Sequence, residues 1–151
     1  MSLAESATRD GLSHRALILV QGSRNGNVTR ELLQRAGVQA FVCSNVGELC
    51  AEIEKGGAAA LVAEEMLSPD SVAQITAVLK SQPAWSDFPI VVFGAGPDPA
   101  HGLKDLARSL GNVTFLDRPV RTRSMLACVR AAIRSRRRQY EARRAIESLF
   151  Q

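Results

Sequence analysis

Two acids, Glu64 and Glu65, stand side by side at the end of an apolar run, and an arginine, Arg118, stands at the end of another. A carboxylate so placed can ligate a hard cation or act as an oxygen nucleophile. A guanidinium can neutralise a carboxylate or a phosphoryl group. Other chemistry is sparse. Gly94-Ala95-Gly96 follows an apolar run as a dinucleotide fingerprint does, but the third glycine is missing and Pro97 and Pro99 interrupt where the helix would begin. His14 and His101 have no cysteine or acid at ligand spacing. No Gly-x-Ser-x-Gly elbow is present, and Ser23 has no convincing base. These residues argue for no enzyme, no cofactor and no metal.

Cys43, Cys50 and Cys128 are odd in number and match no zinc knuckle, so they read as buried small hydrophobes in a reducing compartment. Residues 1–12 contain no secretory h-region. The longest apolar runs, 58–63 and 89–95, fall far short of the ~20 residues that cross a bilayer. A cytoplasmic location is expected, and the sequons at Asn27 and Asn112 then carry no meaning.

The chain has 151 residues, one domain's worth, with 46% apolar and 23% charged residues, which fits a globular protein. Its net charge of +4 is composite: residues 1–117 sum to −4 and residues 118–151 to +8. Residues 1–13 read as a flexible N-terminus, with Met1-Ser2-Leu3 resembling an expression scar. Residues 14–134 read as the folded domain, and 135–151 as a helical linker cut from a longer protein.

The elements that must position these side chains follow from periodicity. Apolar runs at 16–20, 40–43, 59–63, 90–93 and 113–116 read as strands. Helical patterns fall between them at 29–36, 46–55, 71–81 and from Ala100 to Leu110, and glycines follow three of these. The strand runs are nearly unbroken, as in parallel strands covered on both faces. A (βα)₅ order with right-handed crossovers gives an α/β, doubly wound, flavodoxin-like sheet of five parallel strands in the order 2-1-3-4-5, with an extended C-terminal helix. Chemistry in this class sits at the carboxyl ends of the strands.

At those ends the sequence resembles the receiver domain of two-component response regulators, over roughly residues 15–135. The fragments that carry the resemblance are Leu17-Ile18-Leu19-Val20, the stretch from Leu61 to Leu67, Phe88-Pro89-Ile90-Val91-Val92, and Phe115-Leu116-Asp117-Arg118-Pro119-Val120. The resemblance implies phosphoryl transfer from a kinase histidine to an aspartate. It calls for a Mg²⁺-binding acidic pair after strand 1, an aspartate ending strand 3, a hydroxyl after strand 4 and a lysine after strand 5. The matching positions hold Gln21 and Gly22, Glu64, Gly94 and Arg118, and the aromatic switch position holds Phe115. Five departures remove the mechanism, so the expectation is a degenerate pseudo-receiver. Glu64 has two readings: an imitation of a phosphorylated aspartate paired with Arg118, or a solvated acid, with Arg118 pairing locally.

Residues 121–150 contain no glycine or proline and read as one helix. Met125, Leu126, Val129, Ala132 and Ile133 form a face that can cover the sheet. The overshoot holds Arg134, Arg136, Arg137, Arg138, Arg143 and Arg144. It reads as a solvated basic helix, as a phosphate-contacting surface, or as a signalling helix with Tyr140, Ile146, Leu149 and Phe150 as partial coiled-coil contacts. It also resembles linkers that lead into the dimerisation helix of hybrid histidine kinases. The expected function is a non-phosphorylatable regulatory module at the N-terminus of a signalling protein, such as a bacterial sensor histidine kinase. Its partner, or a second copy, would dock on the helix from Ala100 to Leu110, the fifth strand and the C-terminal helix, and a downstream effector or kinase domain would follow. Nucleic-acid binding through the arginine helix is the alternative, weakened by the scarcity of stacking aromatics. A third reading is a small-molecule sensor with its pocket at Gln21, Gly22 and Gly94.

Overall fold

The computed structural model describes residues 12–83, 86–94, 108–118 and 120–150. Five strands, β1 (Ala16–Leu19), β2 (Ala40–Val42), β3 (Ala59–Ala63), β4 (Ile90–Phe93) and β5 (Val113–Leu116), pair in parallel in the order 2-1-3-4-5. This is the expected doubly wound order. The described helices are α1 (Ser23–Arg35), α2 (Val46–Lys55), α3 (Pro69–Lys80) and α4 (Thr122–Leu149), with a 3₁₀ turn at Glu64–Met66.

Every residue of β1 and β3 is buried, which explains their unbroken apolar runs. The pleat sorts them. Leu17, Leu19, Val62, Ile90 and Val92 meet Leu49 and Ile53 of α2 and Val72 and Ile75 of α3. Ile18, Leu61 and Val91 meet Leu33 of α1 and Met125 and Val129 of α4. Two of the helix starts carry their own stops: the Asn45 side chain accepts the Glu48 N–H at 2.8 Å while Glu48 accepts the Ser44 N–H, and Ser68 caps α3 ahead of Pro69.

Helix α1 begins six residues before the periodicity implied. Asn25, Gly26 and Asn27 are weak helix formers and hide the start. Gly26 is there because the helix crosses close to β2: a β-carbon on it would lie 2.7 Å from Val42 Cγ1.

Helix α4 is 28 residues long, a rod of about 42 Å. Its contact with the sheet does not stop near residue 134. Arg136 is 2% exposed, so one residue expected in a solvated overshoot belongs to the interior. At the other end Ser13, placed in a flexible N-terminus, is buried. Of the helix expected from Ala100 to Leu110, residues 100–107 lie outside the described residues; Arg108 is helical and Leu110 is buried. Ala95, Gly96, Pro97, Pro99, His101 and Pro119 also lie outside them. The cysteines are free; Cys43 is buried, but Cys50 and Cys128 are only half-buried. No described helix is long and apolar enough to cross a membrane.

Candidate functional site

The carboxyl ends of β1, β3, β4 and β5 bring the expected positions into one neighbourhood. Leu19 is in register with Val62, Ala63 with Phe93 and Phe93 with Leu116, so the residues that follow each strand emerge together. Gln21 and Gly22 are exposed, and their carbonyls accept bonds from Asn25 Nδ2 and the Gly26 N–H as the chain turns into α1. Glu64 opens the 3₁₀ turn. Gly94 donates its N–H to the Leu116 carbonyl at 3.0 Å and holds a φ of 95°. Phe115 packs inward against the core on the α2–α3 side.

Arg118 connects these positions. Its Nη2 donates to Glu65 Oε1 at 2.7 Å. The Glu65 carboxyl is raised by burial, but the Arg118 bond outweighs this and holds it below the ordinary carboxylate range. To reach Glu65, the guanidinium passes over Gly94. A β-carbon there would lie 2.8 Å from Arg118 Cζ and 2.9 Å from Nε, so any side chain at position 94 would displace it. Of the two readings of Glu64, the one that pairs it with Arg118 is not the arrangement found, because Arg118 pairs with the adjacent Glu65. The 3₁₀ turn presents the second acid to the arginine, and the phosphoaspartate imitation loses its counter-charge. Both partners are substantially exposed, so the pair contributes no more than about 1 kcal/mol.

The residues here do not fit the Mg²⁺ that the receiver-domain resemblance implies. Magnesium requires clustered carboxylate oxygens. Position 21 offers an amide, position 22 offers no side chain, and Glu65 is already engaged by a cation. Among the described residues no group of three His, Cys, Asp or Glu side chains could hold a metal ion.

A second constellation, missed by sequence reasoning, lies at the opposite end of the sheet, where the chain enters the strands. Arg136 Nε and the Tyr140 hydroxyl both donate to the Gly57 carbonyl at 3.2 Å. Arg136 Nη1 donates to Ser86 Oγ at 2.7 Å and Gln139 Oε1 at 2.8 Å. Its guanidinium lies 5.0 Å from the Phe88 ring centroid and 4.7 Å from that of Tyr140. Burial draws Arg136 below its ordinary pKa, while Tyr140 and Asp87 act in the other direction. Gln139 accepts the Asp87 N–H at 2.7 Å and donates to the Asp87 carbonyl at 2.8 Å. Together these bonds clasp α4 to the chain entering β3 and β4. The signal was present in the spacing: Val129, Ile133, Arg136 and Tyr140 continue one helical face.

Arg15 supports the same end of the sheet. Its Nη2 meets Glu52 Oε2 at 2.7 Å, its Nε donates to the Gly56 carbonyl, and it lies over Phe41.

No protein-family model and no curated protein matches the sequence. Solved structures do resemble the fold. A CheY-like response regulator receiver domain protein from Methanospirillum hungatei JF-1 superposes with a TM-score of 0.66 at 16% identity, covering 83% of this chain and 97% of that one. Chemotaxis protein CheY4 of Vibrio cholerae gives 0.64 at 18% identity, covering 78% and 97%. A fusion carrying the yeast Spc42 trimeric coiled coil gives 0.67 at 17% identity and covers 91% of both chains. The chain has the fold of the CheY-like receiver domains.

Proposed function

We propose that this chain is a receiver-like regulatory module of two-component signalling that does not accept a phosphoryl group and acts through protein–protein contact. The observation that carries the reading is the Arg118–Glu65 pair seated over Gly94. The hydroxyl that would meet a phosphoryl oxygen is absent at position 94, and its space is filled by a cation committed elsewhere. The module is read as non-enzymatic.

Output runs through α4. The clasp at Arg136, Gln139 and Tyr140 fixes the helix to the sheet, and beyond it Ile146, Leu149 and Phe150 are exposed. These side chains would meet a second copy, or an adjoining kinase or effector domain of a longer signalling chain. A partner that shifts α4 on the sheet would change the pose of this projecting end without phosphorylation.

The test is incubation with acetyl phosphate and Mg²⁺ followed by intact mass measurement. No phosphoryl adduct is expected. An acylphosphate on Glu64 or Glu65 overturns the reading.

A further inference from the structure

We propose that the cleft between α4 and the turn joining α1 to β2 binds a compact, multiply charged phosphoryl anion. The cleft has a volume of about 350 Å³, within the range of small-ligand pockets. Arg130, Arg134 and Arg137 line it from one face of α4, at i, i+4 and i+7, and His14 lines it from the chain entering β1. Residues 36–39, between α1 and β2, line it as well.

Among the described residues no carboxylate lines this cleft. Arg15, Arg118 and Arg143 each meet a carboxylate at 2.7–2.8 Å. Among the described residues, Arg130, Arg134 and Arg137 meet none. Arg130 instead donates to the Ala36 carbonyl at 3.2 Å, which crosses the cleft and fixes one guanidinium in place. Arginines one turn apart repel by a few tenths of a kcal/mol per pair, so the fold gains nothing from this stripe in isolation. A shared anion converts the repulsion into attraction, and planar guanidinium forks suit phosphoryl oxygens.

Geometry favours a small ligand over an extended one. From Arg130 to Arg137 the helix rises about 10 Å, comparable with a triphosphate chain. All three arginines line the same cleft. The chemistry is shared by inorganic polyphosphate and by the phosphate chain of a nucleotide, and the two differ only in the nucleoside.

The test is calorimetric titration of the purified chain with inorganic triphosphate and, separately, adenosine triphosphate, in metal-free buffer near physiological salt. One saturable site is expected. Arg134→Ala and Arg137→Ala each weaken it about tenfold with unchanged melting temperature, while Arg138→Ala, which lies off the cleft, changes it less than twofold. Equal affinity for both probes assigns the phosphate chain as the ligand, and tighter binding of the nucleotide adds the nucleoside. The proposal is overturned by absence of saturation with either probe. It is equally overturned by a loss from Arg138→Ala as large as from Arg134→Ala, or by a single-stranded oligonucleotide that outcompetes triphosphate with a steep salt dependence. None of these outcomes depends on whether Glu64 can be phosphorylated.

Discussion

The guanidinium of Arg118 occupies the space that a β-carbon on residue 94 would need, with Cζ 2.8 Å and Nε 2.9 Å from that point. The glycine and the arginine are thus coupled: the bare strand end lets the arginine cross to Glu65, and a side chain at position 94 would displace the arginine from that place.

Gly94→Ala is therefore expected to destabilise by two separable effects. The φ of 95° costs a residue with a β-carbon about 1–2 kcal/mol, and the contact with Arg118 adds to it. In an Arg118→Ala background only the backbone share remains. A double-mutant cycle on urea unfolding reads the difference, and strict additivity would contradict the steric relationship.

Arg136→Ala removes two bonds into the body and the packing between two rings. A loss of about 2–4 kcal/mol is expected from denaturant unfolding. Arg137→Ala, one residue on and exposed, stays within about 0.5 kcal/mol. Arg136→Lys falls between, because an ammonium keeps charge but cannot form the stacked fork.

Acid stability follows from two carboxylates. Burial raises Glu52, but its bonds to Arg15 and Lys55 outweigh this and hold it below the ordinary range; Glu65 behaves likewise with Arg118. Each folded-state pKa is depressed, so each contribution is fully present above the unfolded glutamate value of about 4.3 and is lost as pH falls through the lower folded value. Urea midpoints taken from neutral pH downward should drop in that window, and Glu52→Gln should flatten the drop.

Burial, reinforced by Glu48 and Glu52, pushes the Cys43 thiol up to about 12, and burial also raises Cys50. Alkylation at mildly basic pH should leave Cys43 unmodified in the folded protein and modify it once denaturant is added, as peptide mass mapping would show. Rapid labelling of Cys43 in native buffer would contradict its burial.

Much of this architecture was legible in the sequence, because continuous apolar strands and capped helices are local signals. The runs at 59–63, 90–93 and 113–116 became strands with those bounds, and 46–55 became α2. The start of α1 was not legible, since Gly26 serves a contact with Val42 that only the fold creates. The strand-end positions could be assigned in order, but not which of Glu64 and Glu65 meets Arg118; a 3₁₀ turn decides that. Arg136 was hidden by its type. An arginine in an arginine-rich segment reads as solvated until the rings of Phe88 and Tyr140 are seen on either side of it.

The shared acceptor of Arg136 and Tyr140 also makes Gly57 a fulcrum. A β-carbon there would crowd Leu17 and Phe88 at 3.3 Å, so the pivot is bare backbone seated in the core. From Tyr140 to Leu149 the helix forms a lever arm of about 13 Å. Under the proposed output through α4, a small tilt about this pivot would be magnified at the tip, where a partner would meet it.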